Sequence, residues 1–174
     1  MCQFFSGVIT REGVVYDLWK DSHEELLKKA GLKDTLRHPE FVRVELLPKN
    51  GDIFNHSPEN WKLSVDQDFR PEWFSEEFAE LEMKKAFKVV SKRVFLVGKK
   101  LDKIEGQKYR FLKDCEIGEL RDTRIERIVN VKVSRMLGNS QVTEMRGNSI
   151  ARDFRGDTPK LLVAKESPMK VKRV

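Results

Sequence analysis

The sequence predicts an α+β fold: an antiparallel sheet with two main helices, followed by a short β-rich, solenoid-like repeat segment. Three observations predict it. Apolar side chains alternate with a two-residue period in several short segments of the first half. One long segment, residues 75–94, carries Ala79, Met83, Phe87, Val90 and Val94 at helical spacing. Near the C-terminus, Met-x-Gly-Asn-Ser occurs twice, nine residues apart. The predicted organisation is an α+β domain over 1–112, a β-repeat segment over 113–158 and a basic tail over 159–174.

Residues 3–10, rich in Phe, Val and Ile, read as a strand. Glu12-Gly13 supplies a turn, and residues 14–19 read as the second strand of a hairpin. Ser22-His23-Glu24-Glu25 has the spacing of a capping box, Leu26, Leu27 and Ala30 form an apolar stripe, and Gly31 ends that helix. In residues 41–47, Phe41, Arg43 and Glu45 alternate with Val42, Val44 and Leu46, so one face of the strand is apolar. Asn50-Gly51 is a turn signal, and Trp61, Leu63 and Val65 mark the next strand. Pro71 suits the first turn of a helical stretch. In the long helix, Glu76, Glu77, Glu80 and Glu82 precede Lys84, Lys85, Lys88, Lys92 and Arg93, an order that suits the helix dipole and reads as stability rather than function. Residues 95–97 and 109–112 are expected to pair as strands.

The repeat aligns residues 136–144 with 145–153, with a degraded copy from Phe154 and an upstream copy from Arg127 that keeps Asn130 and Val133 in register. Each unit reads as a turn plus a short strand. Gly138 and Gly147 permit positive φ, and an Asn at each turn is expected to build a ladder of side-chain amides. The nine-residue period lacks the second glycine pair and the Asp of the calcium-binding nonapeptide, which predicts no calcium. About four such units do not bury themselves alone, so association through the repeats into a homo-oligomer is expected.

Net charge is +6, but residues 1–95 hold 15 basic and 17 acidic side chains while 96–174 hold 19 and 11. The basic half offers Arg121, Arg124, Arg127, Lys132, Arg135, Arg146, Arg152 and Arg155 to an anionic partner such as nucleic acid. With Phe154 as its only aromatic, residues 121–155 do not form a base-stacking platform. No apolar run is long enough to span a bilayer, and residues 1–10 lack the pattern of a signal peptide. Two cysteines, Cys2 and Cys115, are too few for a disulfide framework, and a reducing, cytoplasmic compartment is expected.

Candidate chemistry rests on few residues. Cys2, directly after Met1, has the placement of a processed N-terminal nucleophile, with His23 as its partner, although Gln3 stands where such enzymes usually carry glycine. The two cysteines and the histidines His23, His38 and His56 have no metal-ligand spacing, so neither metal nor cofactor is expected. Candidate binding residues are Arg43, Asp66 and Trp73 in the first domain and Arg135, Arg146 and Arg155 in the basic half.

Several features together resemble a group of uncharacterised bacteriophage and prophage proteins. They are Met1-Cys2, Ser22-His23, Ala30-Gly31-Leu32-Lys33-Asp34, Phe41-Val42-Arg43-Val44-Glu45, Val65-Asp66, Pro71-Glu72-Trp73-Phe74 and the Gly-Asn-Ser repeats. The resemblance spans most of the chain and carries over no site residues. It implies a phage context and an accessory or counter-defence protein that binds a host or phage protein or a small ligand. A Cys2-dependent amidohydrolase-like enzyme and a nucleic-acid binder are the alternatives.

Overall fold

A computed structural model describes residues 5–34, 39–55, 57–152, 154–155 and 160–161. The chain divides into two units, Met1–Arg93 and Val94–Val174.

The first unit is built on a four-stranded antiparallel sheet of β1 (Phe5–Thr10), β2 (Gly13–Val15), β3 (Phe41–Pro48) and β4 (Trp61–Val65), in the order β2-β1-β3-β4. Its helices are α1 (His23–Ala30) and α2 (Glu76–Val94). The β1–β3 register pairs Phe5 with Leu46, Gly7 with Val44 and Ile9 with Val42. These residues share one face, and α2 lies on it. Phe87 packs against Phe5 and Trp61 with ring centroids 5.6 and 4.4 Å away. A side chain at position 7 would collide with Met83 Sδ, so Gly7 lets the helix close on the strand. The periodicity of residues 75–94 is thus realised almost end to end: Ala79, Met83, Phe87, Val90 and Val94 are all buried. Ser75 caps the helix through an N–H bond from Phe78 to its Oγ.

On the opposite face, Leu26 and Leu27 of α1 pack on Val8 and Phe41. Gly31 ends α1 at φ 69°, as its sequence position implies. Three local expectations are corrected. Ser22 makes no side-chain cap bond, and the Glu25 side chain pairs with Lys20 at 2.7 Å instead of completing a capping box. The second hairpin strand stops at Val15 rather than running to Trp19. Pro71 sits in a turn closed by the Phe74 N–H, and α2 begins only at Glu76.

The second unit is a parallel β-solenoid. Its strands are β5 (Phe95–Val97), β6 (Lys100–Glu105), β7 (Lys108–Lys113), β8 (Glu116–Arg121), β9 (Arg124–Val129), β10 (Lys132–Leu137), β11 (Gln141–Arg146), β12 (Ile150–Ala151), β13 (Phe154–Arg155) and β14 (Lys160–Leu161). From β5 to β12 successive strands alternate between two sheets, with β6, β8, β10 and β12 in one and β5, β7, β9 and β11 in the other; β13 joins β12 beside β10, and β14 joins β11. The stacked strands begin at Phe95, well before the expected boundary after residue 112. Residues 95–97 and 109–112 pair as expected, but in parallel and one coil on, with Phe95 opposite Phe111.

The repeat is also shorter than the Gly-Asn-Ser motif suggests. Lys100, Glu116 and Lys132 stand in register, as do Lys108 and Arg124, so each half-coil upstream has eight residues: a six-residue strand and a two-residue turn. Nine-residue half-coils arise only where Gly138-Asn139-Ser140 and Gly147-Asn148-Ser149 lengthen the turn by one residue. Gly106, Asp114, Asp122, Asn130, Gly138 and Gly147 occupy the same left-handed corner, at φ 48° to 63°. Asn130 is therefore the equivalent of Gly138, one residue out of the register expected from the nine-residue alignment.

These corners explain the motif. A Cβ at Gly138 would collide with the Asp122 carboxylate of the coil before, and one at Gly147 with the Asn130 amide. The Asp122 carboxylate instead accepts the Asn139 N–H at 2.8 Å, and the Asn130 amide oxygen accepts the Asn148 N–H at 3.0 Å. Ser140 and Ser149 donate to the carbonyls of Leu137 and Arg146 and accept the N–H groups of Thr123 and Val131. In place of the expected ladder of Asn side-chain amides, the links between coils are made by the corner residues Asp114, Asp122 and Asn130, the Asn130 amide donating to Asp114 at 3.0 Å. The Asn of Gly-Asn-Ser contributes its backbone.

Inside the coils, Leu112, Ile117, Leu120, Ile125, Ile128, Val133, Met136, Val142 and Met145 form one apolar stack. Phe87→Ala should cost about 3–5 kcal/mol in a denaturant titration, since it empties the centre of the α2 interface. Gly138→Ala should destabilise the protein by about 1–3 kcal/mol, because a left-handed corner and an occupied Cβ position both oppose it.

Candidate functional site

The face of the sheet that carries α1 is only partly apolar. Strand alternation places Ser6 and Val8 of β1 on it with Phe41, Arg43 and Glu45 of β3. The register sets Ser6 opposite Glu45 and Val8 opposite Arg43, and Glu45 opposite Ser64 of β4. Beyond β4 the chain keeps to the sheet: the Asp66 N–H donates to the Arg43 carbonyl at 2.9 Å, and the Gln67 side chain accepts the Arg43 N–H at 2.8 Å. His23, the first residue of α1, is buried above this row.

His23 joins the pieces. Its Nε2 lies 3.1 Å from the Val44 carbonyl, and its Nδ1 lies 3.1 Å from Asp66 Oδ2. The Glu45 carboxylate completes a group whose donor atoms lie within 4.8 Å of one another. A carbonyl only accepts, so Nε2 carries a hydrogen. Nδ1 faces a carboxylate, and two lone pairs at that distance repel unless a positive charge lies between them. The ring is buried while the Asp66 side chain is 58% exposed, so the group opens to solvent on the Asp66 side. Ser6 Oγ and Arg43 Nε, both buried, have no hydrogen-bond partner among the described residues.

Of the residues the sequence singles out, the fold brings His23, Arg43 and Asp66 together. Arg43 directs Nη1 to Asp34 at 3.4 Å. Trp73 is held by a bond from its indole N–H to the Pro39 carbonyl at 2.6 Å and lies under Arg11 at 5.9 Å. Cys2, His38 and His56 lie outside the described residues. Arg155 falls in β13 and Arg135 and Arg146 in β10 and β11, all in the other unit. Sequence reasoning passed over Glu45 and Ser6. The signal for Glu45 was present in its alternation with Arg43, which puts both on one face.

The solenoid's basic residues do not stand as an open row. Glu119 is shared by Arg121 at 3.1 Å, Arg135 at 3.3 Å and Lys103 at 3.9 Å. Glu116 bridges Lys100 and Lys132, and Glu144 bridges Arg127 and Arg146. Parallel register stacks equivalent positions of successive coils, so alternating signs become cross-coil ion pairs. Carboxylates set among the arginines offset the field that a phosphate backbone would need. Cys115 is buried among the coils, and burial pushes its thiol pKa up, which makes it a poor nucleophile.

Comparison of the chain with protein-family models, with curated proteins and with solved structures finds no match.

Partial burial pushes the Glu144 carboxyl pKa up, but hydrogen bonds and charge from Arg127 and Arg146 outweigh it and hold the group below the ordinary value of 4.5. A depressed carboxyl pKa adds stability above the unfolded value and loses it as pH falls through the folded one. The thermal stability of the native chain should therefore fall more steeply below about pH 4.5 than that of Glu144→Gln. Parallel acid profiles for the two proteins would refute the pairing.

Proposed function

We propose that this is a phage-type accessory binding protein: the Met1–Arg93 unit recognises a host protein or small ligand, and the solenoid mediates assembly. The observation that supports this reading is the stacking of the solenoid, whose sheets end in edge strands: among the described residues β6 pairs with β8 alone and β5 with β7 alone. An edge strand carries backbone donors and acceptors that another chain can pair with, and symmetric pairing of identical edges is the commonest way to use them.

Other features support binding over catalysis. The His23 ring has both nitrogens directed at acceptors, and the Cys115 thiol is buried. The solenoid's arginines are largely engaged with glutamates, which weakens the nucleic-acid reading. The resemblance to phage proteins makes a host protein, and so a counter-defence role, the partner class to test first. No helix among the described residues is long and apolar enough to cross a membrane.

Light scattering should give a mass above that of one chain for the full-length protein and a single-chain mass for a chain ending at Arg93. A monomeric full-length protein would overturn assembly through the solenoid, as would a truncated chain that keeps the same oligomeric state.

A further inference from the structure

We propose that His23, Glu45 and Asp66 bind a divalent cation of the Zn2+ or Mn2+ class. The inference is independent of how the solenoid associates.

Three observations converge on it. The first is the orientation of the imidazole. Metal-bound histidines almost always donate their second ring N–H to a carbonyl or carboxylate, which sets the tautomer and aims the other nitrogen at the ion. His23 has this arrangement: Nε2 reaches the Val44 carbonyl, Nδ1 lies 3.1 Å from Asp66 Oδ2, and Glu45 offers a ligand atom in the same group. A cation between Nδ1 and Asp66 relieves the same repulsion a proton would.

The second is the state of the remaining groups. Glu45 has no hydrogen bond or ion pair among the described residues, although it stands half-buried beside a histidine. Ser6 Oγ, on a residue only 1% exposed, is also without a partner, and the register places Ser6 directly opposite Glu45 on the same face. A water on a cation held by Glu45 would give that hydroxyl an acceptor or donor. Arg43, on the same face of the strand, directs Nη1 to Asp34.

The third is the donor set. Ligands about 2.1 Å from one ion stand roughly 3–4 Å apart, so donors already within 4.8 Å need small rotations of two carboxylate side chains. One imidazole and two carboxylates, without thiolate, suit Zn2+ or Mn2+ better than Ca2+ or Mg2+, which favour all-oxygen shells. Three protein ligands leave a position for water, and exposed Asp66 gives the ion a route in.

The test is calorimetric titration of the full-length, chelator-treated protein with ZnCl2 and with MnCl2. One equivalent of at least one ion should bind, seen as a saturable heat with a stoichiometry near one. Glu45→Gln and Asp66→Asn, both at solvent-accessible side chains, should each weaken binding about tenfold or more. The ion should raise Tm for the native chain and lose that effect in both variants. Absence of binding would overturn the proposal. So would binding that neither substitution alters, since the ion would then sit elsewhere, for instance on a thiol.

Discussion

The register of β3 is the constraint on which the first unit depends. Val42, Val44 and Leu46 face α2 and are buried, while Phe41, Arg43 and Glu45 face α1. A slip of one residue would put a guanidinium and a carboxylate against Phe87 and Met83 and turn three aliphatic side chains to the other face. Burial of the aliphatic set selects the register, and that choice also delivers Glu45 to Ser6 and Arg43 to the Asp66 turn. The polar group around His23 is thus positioned by the hydrophobic core on the far side of the same strand.

In the solenoid the corresponding constraint sits at the corners. Each coil must reverse within two or three residues, and the left-handed position that does so is filled by Gly, Asp or Asn. Where it is Asp or Asn, the side chain reaches toward the next coil; where that coil has Gly-Asn-Ser, the missing Cβ makes room for it. The corner therefore works between coils as well as within one. The free N–H groups of a longer turn are taken up by the coil before it, which is how nine-residue half-coils stack on eight-residue ones without breaking the ladder.

Legibility in the sequence varied with the range of the interaction. The α2 stripe, the β3 alternation and the Gly31 stop depend on local periodicity and backbone preference, and all were read from residues a few positions apart. The solenoid was read only in part. Gly-Asn-Ser drew attention to the two longest turns and suggested a period of nine starting near Arg127. The more general signal was the apolar spacing of three, three and two that runs through Tyr109, Leu112, Cys115, Ile117, Leu120, Thr123, Ile125, Ile128, Val131 and Val133. It escapes a search for helices or simple strands because it matches neither period. Spacing rules for metal ligands likewise passed over His23, Glu45 and Asp66, which come from a helix start, a strand and a strand end. No short motif joins them.

By itself, the sequence determined the α+β class, the two-faced β3 strand, the long second helix and the presence of stacked repeats with glycine corners. Each follows from side-chain size, polarity or φ preference acting over one or two turns of chain. The tertiary structure decided the rest. It moved the solenoid's start to Phe95, because parallel pairing of β5 with β7 is a contact between segments with no shared local pattern. It converted a basic composition into cross-coil ion pairs, because stacking brings residues sixteen or seventeen positions apart into register. It also set an imidazole between a carbonyl and two carboxylates, an arrangement that exists only once α1 has packed on β1 and β3.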